Sequence, residues 1–522
     1  MALLIVFLVS LPVIFYFLHL QRKLINKPKT TSALLPPGPR GLPLIGNLHQ
    51  LESTNFHYQL WNLSKKYGPL MSLRLGLVQT VVVSSVKIAN EALKTYDVEF
   101  SGRPALVGQQ KLTYNGLDIV FAPYNDKWKE MRKICVTHLF NASRVRHFRP
   151  VREDEVACMI EEISSTSTSS SSPSPATVVI NLSERLMSLT NSVIFRVAVG
   201  KKFENKAGER SKFHSLLDET RVVLGAFYFK DFFPFFGGFF DKLSGIISRL
   251  ENNFKEFDAF YQQLIEEHAD PNRPKDQVRG DIVDVLLQVQ KDRGEDQVHG
   301  FTWDNIKAVL MFLVVSKNVF VGATDTSAAL MTWAMTNVVK NPRVMEKAQK
   351  EVRDLIGDKG FVDEDDLEKL PYIKAILKET FRLYPPVPII PRETTKSCVI
   401  DGYQVPAKTL VYLNGWAISR DPEVWERPDD FDPDRFIIGD KSNIELTGQN
   451  NYELIPFGGG RRFCPGIHMG IANLELAIAN LLYKFDWEMP AEMKIQDLDF
   501  DIAPGIVMHK KHPLYLAATK YI

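Results

Sequence analysis

Apolar and polar positions form patterns that change along the chain. The segment Ala2–Leu20 is one nearly continuous apolar run, interrupted only by Ser10, Pro12 and His19. Much of the remaining chain places apolar residues three and four positions apart, which predicts amphipathic helices. Clear examples are Val344–Ile356, Ile373–Tyr384 and Ile467–Lys484.

Short apolar runs predict a smaller β component. The predicted strands and hairpin arms are Leu70–Leu75, Thr80–Ser84, Cys398–Ile400 and Tyr403–Val405. The last two flank Asp401-Gly402, a strong signal for a tight hairpin turn. The pattern as a whole predicts a mainly α fold with small β-sheets, which is an α+β protein.

The first apolar run is long enough to cross a bilayer, because as a helix it would measure about 30 Å. A cleaved signal peptide is the alternative, but no charged residue precedes the run and no small-x-small cleavage site follows it. Basic residues follow instead at Arg22, Lys23, Lys27 and Lys29. By the positive-inside rule they leave the rest of the chain in the cytosol. We therefore expect residues 1–21 to form an N-terminal membrane anchor.

Residues 22–40 are predicted to be a basic and proline-rich hinge. The stretch Leu35–Arg40 reads Leu-Pro-Pro-Gly-Pro-Arg, in which the prolines fix backbone angles and the glycine supplies a bend. We expect this hinge to orient the body of the protein relative to the anchor.

The aromatic segment Phe232–Phe240 holds six phenylalanines around Pro234 and two glycines, so it cannot be a regular helix. It has two interpretations. It is either part of the buried core, or a loop that dips into the bilayer beside the anchor and forms an apolar entrance for substrate.

Composition excludes several classes of protein. The chain has 522 residues and 59.4 kDa, with 45% apolar and 24% charged residues, which is typical of a folded globular protein. Its 63 basic and 62 acidic residues leave a net charge of +1, which argues against nucleic acid as a partner. Its four cysteines show no C-x-x-C spacing, which argues against a disulfide framework and a structural zinc site and favours a reducing compartment.

The most informative stretch is Pro456–Gly466, which reads Pro-Phe-Gly-Gly-Gly-Arg-Arg-Phe-Cys-Pro-Gly and precedes a predicted helix. We expect Pro465 to occupy the first helical position, so that backbone N–H groups and the helix dipole favour the thiolate of Cys464. The three glycines would let the backbone lie against a large flat group, and Arg461 and Arg462 offer charge to an anionic edge. A haem has these properties, although a buried structural cysteine beside a glycine-rich turn is the alternative from these residues alone.

The segment matches a known signature in full. Phe457-x-x-Gly460-x-Arg462-x-Cys464-x-Gly466 resembles the haem-binding loop of the haem-thiolate monooxygenases, the cytochrome P450 superfamily. Two other landmarks occur in the family's order, Glu379-Thr-Phe-Arg382 and Pro433-Asp-Arg-Phe436, so the resemblance extends from about residue 36 to the end. It implies the cytochrome P450 fold and a single haem-thiolate catalytic domain over residues 41–522.

The resemblance assigns roles to individual residues. It implies haem b with Cys464 as the axial thiolate and metal ligand, and cofactor contacts from Phe457 and Arg462. The positions of Trp128, Arg132 and Arg392 match family residues that hold haem propionates. Asp325 and Thr326 match the acid and alcohol that relay protons to bound oxygen and are the catalytic residues. The site residues implied by the resemblance are Trp128, Arg132, Asp325, Thr326, Arg392, Phe457, Arg462 and Cys464.

Glu379 and Arg382 lie three positions apart on a predicted helix and so share a face. On a surface such a pair contributes only a few tenths of a kcal/mol. The resemblance implies instead that both residues join Arg435 in a buried network that supports the cysteine loop. In that case loss of one partner leaves an uncompensated charge and abolishes haem binding.

Two departures from the family pattern affect the predicted oxygen-binding helix. Ala323 stands where the family most often has glycine, which narrows the oxygen groove slightly. The run around Phe312–Lys317 is longer than in similar sequences by about six residues, which would rotate the preceding helix by roughly 240° unless the surplus bulges out. The surplus is either a real insertion or a splicing error in the gene, and it affects the expected activity more than the fold.

Electrons must come from another protein, because no flavin or nicotinamide site is recognisable. A basic cluster of Lys127, Lys129, Arg132, Lys133 and Arg461 suits an acidic redox partner. The resemblance implies an NADPH-dependent cytochrome reductase, a flavoprotein, as the donor. The detailed likeness is to the microsomal plant members of specialised metabolism, which implies a single-pass protein of the endoplasmic reticulum membrane.

The expected substrate is a small hydrophobic metabolite, because the predicted pocket segments are mostly apolar or small. Those segments are Arg103–Phe121, Gly322–Thr326, Val387–Pro391 and Ala503–Val507. Two other functions are compatible with a haem-thiolate chain: an isomerase or dehydratase that needs no O2, and a catalytically impaired haem binder. The acid and alcohol at Asp325 and Thr326 argue against the isomerase.

Overall fold

The computed structural model describes residues 34–521 apart from 53, 169–177, 202–215, 217–218, 221, 274–279, 294–300, 314–323 and 447–451. The predicted anchor, the hinge up to residue 33, most of the predicted helical surplus and Ala323 lie outside the described residues. Within the described ranges, no helix combines the length and the apolar character needed to cross a membrane.

Helices dominate the described secondary structure. In chain order they are α1 (Phe56–Tyr67), α2 (Val86–Asn90), α3 (Val107–Leu112), α4 (Asp126–Ile134), α5 (Ala142–His147), α6 (Arg149–Thr168), α7 (Leu182–Val199), α8 (Phe229–Phe232), α9 (Gly237–Leu243), α10 (Ile246–Ala269), α11 (Ile282–Arg293), α12 (Trp303–Leu313), α13 (Thr324–Lys340), α14 (Pro342–Ile356), α15 (Pro371–Leu383), α16 (Gly415–Ile418) and α17 (Ile467–Lys484).

The strands form small sheets at the edge of the helical body. They are β1 (Leu70–Leu75), β2 (Val78–Val83), β3 (Val178–Asn181), β4 (Ile389–Glu393), β5 (Cys398–Ile400), β6 (Tyr403–Val405), β7 (Leu410–Asn414), β8 (Phe485–Glu488) and β9 (Tyr515–Lys520). One sheet has the order β1-β2-β7-β4, in which β2 and β7 are parallel and the other pairs antiparallel. A second has the antiparallel order β3-β9-β8, and β5 and β6 form a hairpin.

The predicted elements are confirmed with small shifts at their ends. The predicted helix Ile467–Lys484 and the strand Leu70–Leu75 have the observed bounds. The hairpin is also confirmed, and Asp401 and Gly402 adopt φ angles of 46° and 79° at its turn. Such left-handed angles are what a tight hairpin turn requires.

Helix α13 runs through the interior of the protein. Its residues 328–335 are all buried, and it packs against α7, α15 and α17. A helix that is apolar on all sides belongs in a core. The polar residues at its start, Asp325 and Thr326, are therefore carried into the middle of the molecule.

The described part of the hinge is fixed to the sheets. The carbonyl of Pro37 accepts a hydrogen bond of 2.8 Å from the Ser72 amide, and the carbonyl of Leu34 accepts one of 3.0 Å from Gln404. A Cβ on Gly38 would lie 1.8 Å from the Ser72 carbonyl oxygen, so only glycine fits this contact. Residues 34–40 thus leave the body in one defined direction.

The aromatic segment is broken into the short helices α8 and α9, with Pro234 between them. Phe233 is buried, but Phe235 and Phe239 are 84% and 67% exposed. The interpretation of this segment as core is therefore wrong for the phenylalanines that point outward, because α8 and α9 lie at the surface with one side uncovered.

Candidate active site

The loop that carries Cys464 is held by its own backbone and by a neighbouring helix. The Cys464 amide donates to the Phe457 carbonyl at 3.0 Å, and the Phe463 amide donates to Gly460 at 3.1 Å. Nη2 of Arg132, on α4, donates to the Phe463 carbonyl at 2.5 Å. These bonds place the thiol at one fixed position just before α17.

The electrostatics of the thiol differ from the sequence expectation. Helix α17 begins at Ile467, so Pro465 lies before the helix and not at its first position. Burial raises the pKa of the Cys464 thiol, while the Gly466 N–H and the Arg132 guanidinium lower it. The protein alone therefore favours the thiol, and a bound metal ion is what would make the thiolate stable, because a coordinating thiol loses its proton.

The three glycines of the loop serve different purposes. Gly458 lines the neighbouring cavity. In contrast, a Cβ on Gly459 would lie 2.6 Å from the Tyr452 ring, and one on Gly460 would lie 2.2 Å from the Asp97 carboxylate. The expectation that all three lie against a flat group is wrong for Gly459 and Gly460, which are needed for close packing within the protein.

A cavity of about 1070 Å³ borders the cysteine loop. Phe457 and Cys464 line it on one side, and Thr326 and Ser327 of α13 line it as well. The predicted pocket segments contribute as expected, with residues from 103–121, all of 387–391 and all of 503–507. Sequence reasoning missed residues 224–226. Phe232 and Pro234 also line this cavity, which agrees with the interpretation of the aromatic segment as an apolar entrance.

Four arginines surround the cavity beside the cysteine loop: Arg103, Arg132, Arg392 and Arg462. Nη2 of Arg392 donates to the Gly459 carbonyl at 3.1 Å. Arg462 donates from Nε and Nη2 to the carbonyls of Ser101 and Ala122, both at 2.7 Å. Within the described part of the chain, Nε and Nη1 of Arg392 and Nη1 of Arg462 are buried without a hydrogen-bond partner. A buried donor in this state is costly, so these atoms fit an anionic group in the cavity.

Among the described residues, the four arginines of this cluster outnumber the carboxylates nearby, Asp97 and Asp118. Burial, together with the nearby positive charges, lowers the pKa of Arg392 well below its ordinary value and that of Arg462 to about 9. Asp118 is the nearby buried carboxylate, and burial raises its pKa to about 6 although it accepts bonds from the amides of Val120 and Phe121. An anionic ligand would therefore be stabilised here.

Trp128 lies beside the arginine cluster and packs against it. Its indole N–H donates to the Ile119 carbonyl at 2.9 Å, and the Arg462 guanidinium carbon lies 4.0 Å from the ring centroid. In this arrangement Trp128 supports Arg462 and closes the turn before α4. Its predicted contact with a propionate stays a prediction.

The predicted catalytic pair lies at the start of α13. Thr326 lines the cavity, while Oδ2 of Asp325 lies 3.2 Å from Nε2 of His509. Asp325 is 5% exposed, so its carboxylate is deep in the protein. The structure thus brings Cys464, Thr326 and the four arginines to one cavity, with Asp325 immediately behind Thr326.

The network predicted around Glu379 is present and buried. Glu379 accepts hydrogen bonds from Arg382 and, at 3.0 Å, from Nε of Arg435. The Asp432 amide also donates to Glu379, at 2.9 Å. The network joins α15 to the segment that leads to the cysteine loop.

The basic cluster on α4 differs from the expectation at one residue. Lys127, Lys129 and Lys133 are exposed, and Arg461 is half-exposed with its guanidinium 3.2 Å from Asp97. Arg132 points inward to the cysteine loop, so it does not belong to the exposed cluster. We call Lys127, Lys129, Lys133 and Arg461 the basic surface.

Sequence reasoning included Arg103 and Asp118 only as part of the pocket segment Arg103–Phe121, without a role of their own, and it missed His509. Arg103 donates from Nε to the Val120 carbonyl at 2.9 Å and from Nη1 to the Pro391 carbonyl. Asp118 and Arg103 lie in a segment of low regularity, and no spacing in it signals their contacts. Only the fold brings them to the cysteine loop.

The residues of the cavity fit a haem. Cys464 supplies a ligand for its iron, and the unpartnered donors of Arg392 and Arg462 suit its two carboxylates. The apolar lining suits its ring. The fit rests on the orphaned guanidinium atoms, since no group within the described part of the chain satisfies them.

Comparison with known proteins gives concordant results. A model of the cytochrome P450 family matches residues 36–517. The 6,7,8-trihydroxycoumarin synthase of Pastinaca sativa is 45% identical over 505 residues, covering 95% of each chain. The 5-OH-xanthotoxin synthase of the same plant is 45% identical over 495 residues, covering 93% of each. Cytochrome P450 71A9 of Glycine max is 44% identical over 509 residues, covering 97% of each.

Solved structures of the same architecture are more distant in sequence. A zebra fish cytochrome P450 solved with progesterone has a TM-score of 0.71 at 25% identity and covers 89% of this chain and 99% of that one. A second structure, with abiraterone, has a TM-score of 0.70 at 24% identity and covers 89% of this chain and 100% of that one. These likenesses confirm the predicted fold.

Proposed function

Because the chain belongs to the cytochrome P450 family, we propose that it is a membrane-anchored enzyme that inserts one oxygen atom from O2 into a small hydrophobic plant metabolite, using electrons from an NADPH-dependent flavoprotein reductase. Its class is that of the haem-thiolate monooxygenases of plant specialised metabolism. The balanced reaction is RH + O2 + NADPH + H⁺ → ROH + H2O + NADP⁺. The observation that carries the proposal is the cavity that joins Cys464, Thr326 and the unpartnered arginine donors.

The residues have distinct tasks in this proposal. Cys464 would ligate the haem iron through its sulfur, Arg392 and Arg462 would hold the haem carboxylates, and Phe457 lines the cavity beside the cysteine. When bound, the haem supplies the oxygen and electron-transfer chemistry. Thr326 and Asp325 hold and deliver protons on the opposite side of the cavity.

For the substrate we propose a planar aromatic lactone. The cavity side chains away from the arginines are mostly apolar, which favours a hydrophobic molecule. Two of the relatives described above are named as synthases of a trihydroxycoumarin and of 5-OH-xanthotoxin. Coumarin and xanthotoxin are therefore the first compounds to test.

The basic surface suits the acidic docking face of a reductase. Lys127, Lys133 and Arg461 lie on or beside the segments that hold the cysteine loop, on α4 and at the loop itself. An electron donor bound there would lie close to the thiolate side of the site. Charge complementarity of this kind mainly raises the association rate and weakens with salt.

The exposed apolar side chains in and beside the aromatic segment support membrane contact in addition to the anchor. Phe227, Phe235, Phe239, Phe240 and Leu243 are exposed, and we call them the aromatic surface. The Phe232 carbonyl accepts a hydrogen bond of 2.9 Å from the Leu77 amide, which joins this surface to the turn after β1. Since the same segment borders the cavity, an apolar substrate could enter from the bilayer.

The central experiment uses microsomes from cells that express the full chain. We expect a carbon monoxide difference spectrum with the strongly red-shifted Soret band of thiolate-ligated haem, and we expect Cys464→Ala to lose it. With reductase, NADPH and ¹⁸O2, coumarin or xanthotoxin should gain one labelled oxygen atom.

Three other results would separate the alternatives. An unshifted band or apoprotein alone would contradict thiolate ligation. A haem-loaded chain that rearranges organic hydroperoxides without reductase would be an isomerase or dehydratase. A haem-loaded chain that neither accepts electrons nor turns over would be an impaired binder.

Membrane attachment needs its own test. We expect the full chain to stay in the membrane pellet after carbonate extraction, and its body to be digested by protease added outside intact microsomes. For the aromatic surface, radical footprinting in lipid nanodiscs should show Phe235 protected and Ile438 labelled, each normalised to its free peptide. These two residues are 84% and 77% exposed in the protein alone, so equal labelling would contradict membrane contact by the aromatic surface.

A further inference from the structure

Asp325 and His509 face each other from two separate elements. Asp325 lies in the first turn of α13, and its Oδ2 is 3.2 Å from Nε2 of His509. His509 follows directly after residues 502–508, which line the cavity. The contact therefore connects the C-terminal wall of the cavity to the helix that carries Thr326.

The two polar atoms nearest this contact are not satisfied elsewhere. Within the described ranges, Nε2 of His509 and Oδ1 of Asp325 are buried and have no aligned hydrogen-bond partner. The 3.2 Å approach has the distance of an ion pair without the alignment of a hydrogen bond. A small rotation of either side chain would align the pair.

The side chains of Asp325 and His509 are buried to different extents. The Asp325 side chain is 7% exposed and the His509 side chain 27% exposed. His509 thus connects the partly exposed surface to a buried carboxylate. An imidazole can accept a proton on one nitrogen and release one from the other.

Other charged groups near His509 are engaged with different partners. Nζ of Lys510 lies 3.3 Å from Asp499 and also sits over the Trp333 ring. Nζ of Lys511 lies 3.6 Å from Asp501. In the described part of the chain, His509 is therefore the titratable side chain that faces Asp325.

We propose that His509 is a positioning residue that acts through Asp325: it orients the carboxylate and passes protons from solvent to it. Oxygen insertion requires RH + O2 + 2 e⁻ + 2 H⁺ → ROH + H2O, with the electrons supplied by the reductase. Each proton leaves Nε2 of His509 for the Asp325 carboxylate while water supplies a proton to Nδ1, and the ring returns to its first tautomer before the next transfer. From Asp325 the proton passes to the cavity beside Thr326. This inference rests on the proposed function.

The test compares His509→Gln with the wild-type holoenzyme, because glutamine keeps a hydrogen-bond donor but cannot exchange a proton in this way. The readout is oxygen-dependent NADPH consumption with reductase and no added substrate, measured in H2O and in D2O. We expect a rate about tenfold lower and a larger solvent isotope effect, since proton delivery becomes limiting. The rate at which reductase and NADPH convert the protein to its carbon monoxide complex should not change, because reduction followed by carbon monoxide binding needs an electron and no proton.

His512→Gln is the matched control, since it is the same substitution at an exposed histidine of the same segment. It should leave all three measurements at the wild-type value. Asp325→Asn should be slower than His509→Gln, and the double variant no slower than Asp325→Asn alone, because both residues act in one series. An unchanged rate and isotope effect in His509→Gln would overturn the proposal, and so would effects of the two substitutions that multiply.

A second measurement separates this inference from the proposed function. If the wild-type chain takes no electrons from the reductase, the proposed electron donor is wrong. The contact between Asp325 and His509 is then tested by urea unfolding, monitored by far-UV circular dichroism. The four proteins compared are the wild type, His509→Gln, Asp325→Asn and the double variant. Non-additive shifts of the midpoint would support the contact, and additive shifts would overturn it.

Discussion

The Glu379 carboxylate and the Arg382 guanidinium form a bidentate ion pair that is completely buried. Nε of Arg382 lies 2.7 Å from Oε2 of Glu379 and Nη2 lies 2.8 Å from Oε1, with neither side chain exposed. The remaining Arg382 donors reach the carbonyls of Ser419, Pro428 and Asp430. Every strong donor of the guanidinium is thus used, which is the condition under which a buried pair is tolerated.

Removal of one partner should be severe. In Glu379→Gln the buried Arg382 and the largely buried side chain of Arg435 both lose their counter-charge, which costs about 3–5 kcal/mol. In Arg382→Met the Glu379 carboxylate keeps Arg435, so we expect a smaller cost. Since the network also includes Arg435, we expect the segment before the cysteine loop to lose its position and the chain to lose haem. The measurement is the carbon monoxide complex per mole of purified chain, with the urea midpoint of the same samples.

The matched control is an exposed pair with similar spacing. Lys350 and Asp354 lie four apart on α14 with side chains 75% and 67% exposed. Lys350→Gln should change the free energy of unfolding by less than about 0.5 kcal/mol. Equal effects of the buried and the exposed substitutions would contradict the interpretation.

The sequence predicts the regular elements well because their signals are local. Helix α17 and strand β1 have periodic apolar positions, and the hairpin turn has Asp401-Gly402, so neighbouring residues define each element. The distinction between surface and core in the aromatic segment is not local. It depends on what covers α8 and α9, which apolar composition does not specify.

The site shows the same division between local and distant signals. The cysteine loop is a contiguous motif, and the sequence identifies it. The direction of Arg132 and the roles of Arg103 and His509 depend on contacts with residues far along the chain, such as Phe463, Pro391 and Asp325. Charge alone places Arg132 in a solvent-exposed cluster, whereas packing turns it to the cysteine loop.

Arg392 should determine how tightly the cofactor is held. Two of its donor atoms are buried without a partner among the described residues, so a propionate would gain charge-assisted hydrogen bonds worth about 1.5–3 kcal/mol. In Arg392→Met we expect haem to leave at least tenfold faster, measured as transfer to excess apomyoglobin. Arg461→Met is the control, because that side chain is 49% exposed and paired with Asp97. Equal transfer rates for both variants would contradict a propionate role for Arg392.

His57 should make the protein sensitive to acid. Burial first, and then the Arg420 charge, lowers the pKa of His57 from 6.5 to about 4. Above pH 6.5 the ring is neutral in both folded and unfolded chains. Between pH 6.5 and 4 the unfolded chain binds a proton that the folded chain does not, so the free energy of unfolding falls as the pH falls.

At pH 5 the loss attributable to His57 should be about 2 kcal/mol. The ring packs against Trp416 at 5.2 Å between centroids, so His57→Phe keeps an aromatic contact while it removes the titration. We expect the shift in urea midpoint between pH 7 and pH 5 to shrink in His57→Phe and to stay the same in His49→Phe, which changes an exposed histidine. An unchanged shift in His57→Phe would assign the acid sensitivity to other groups.

Tyr114 should control access to the cavity. Its hydroxyl donates to Oδ1 of Asp258, on α10, at 2.8 Å. Nζ of Lys307, on α12, contacts the same oxygen at 2.7 Å. These contacts hold the segment between α3 and α4, which forms one wall of the cavity. Tyr114 has a φ angle of 52°, a left-handed conformation that a non-glycine residue keeps only when contacts fix it. The hydrogen bond is partly exposed, so its loss in Tyr114→Phe should cost about 1 kcal/mol and open the wall about fivefold more often. We expect an azole that ligates haem iron to bind about fivefold faster in stopped-flow mixing, with no change in Tyr515→Phe. Equal binding rates in Tyr114→Phe and the wild type would show that ligands enter by another route.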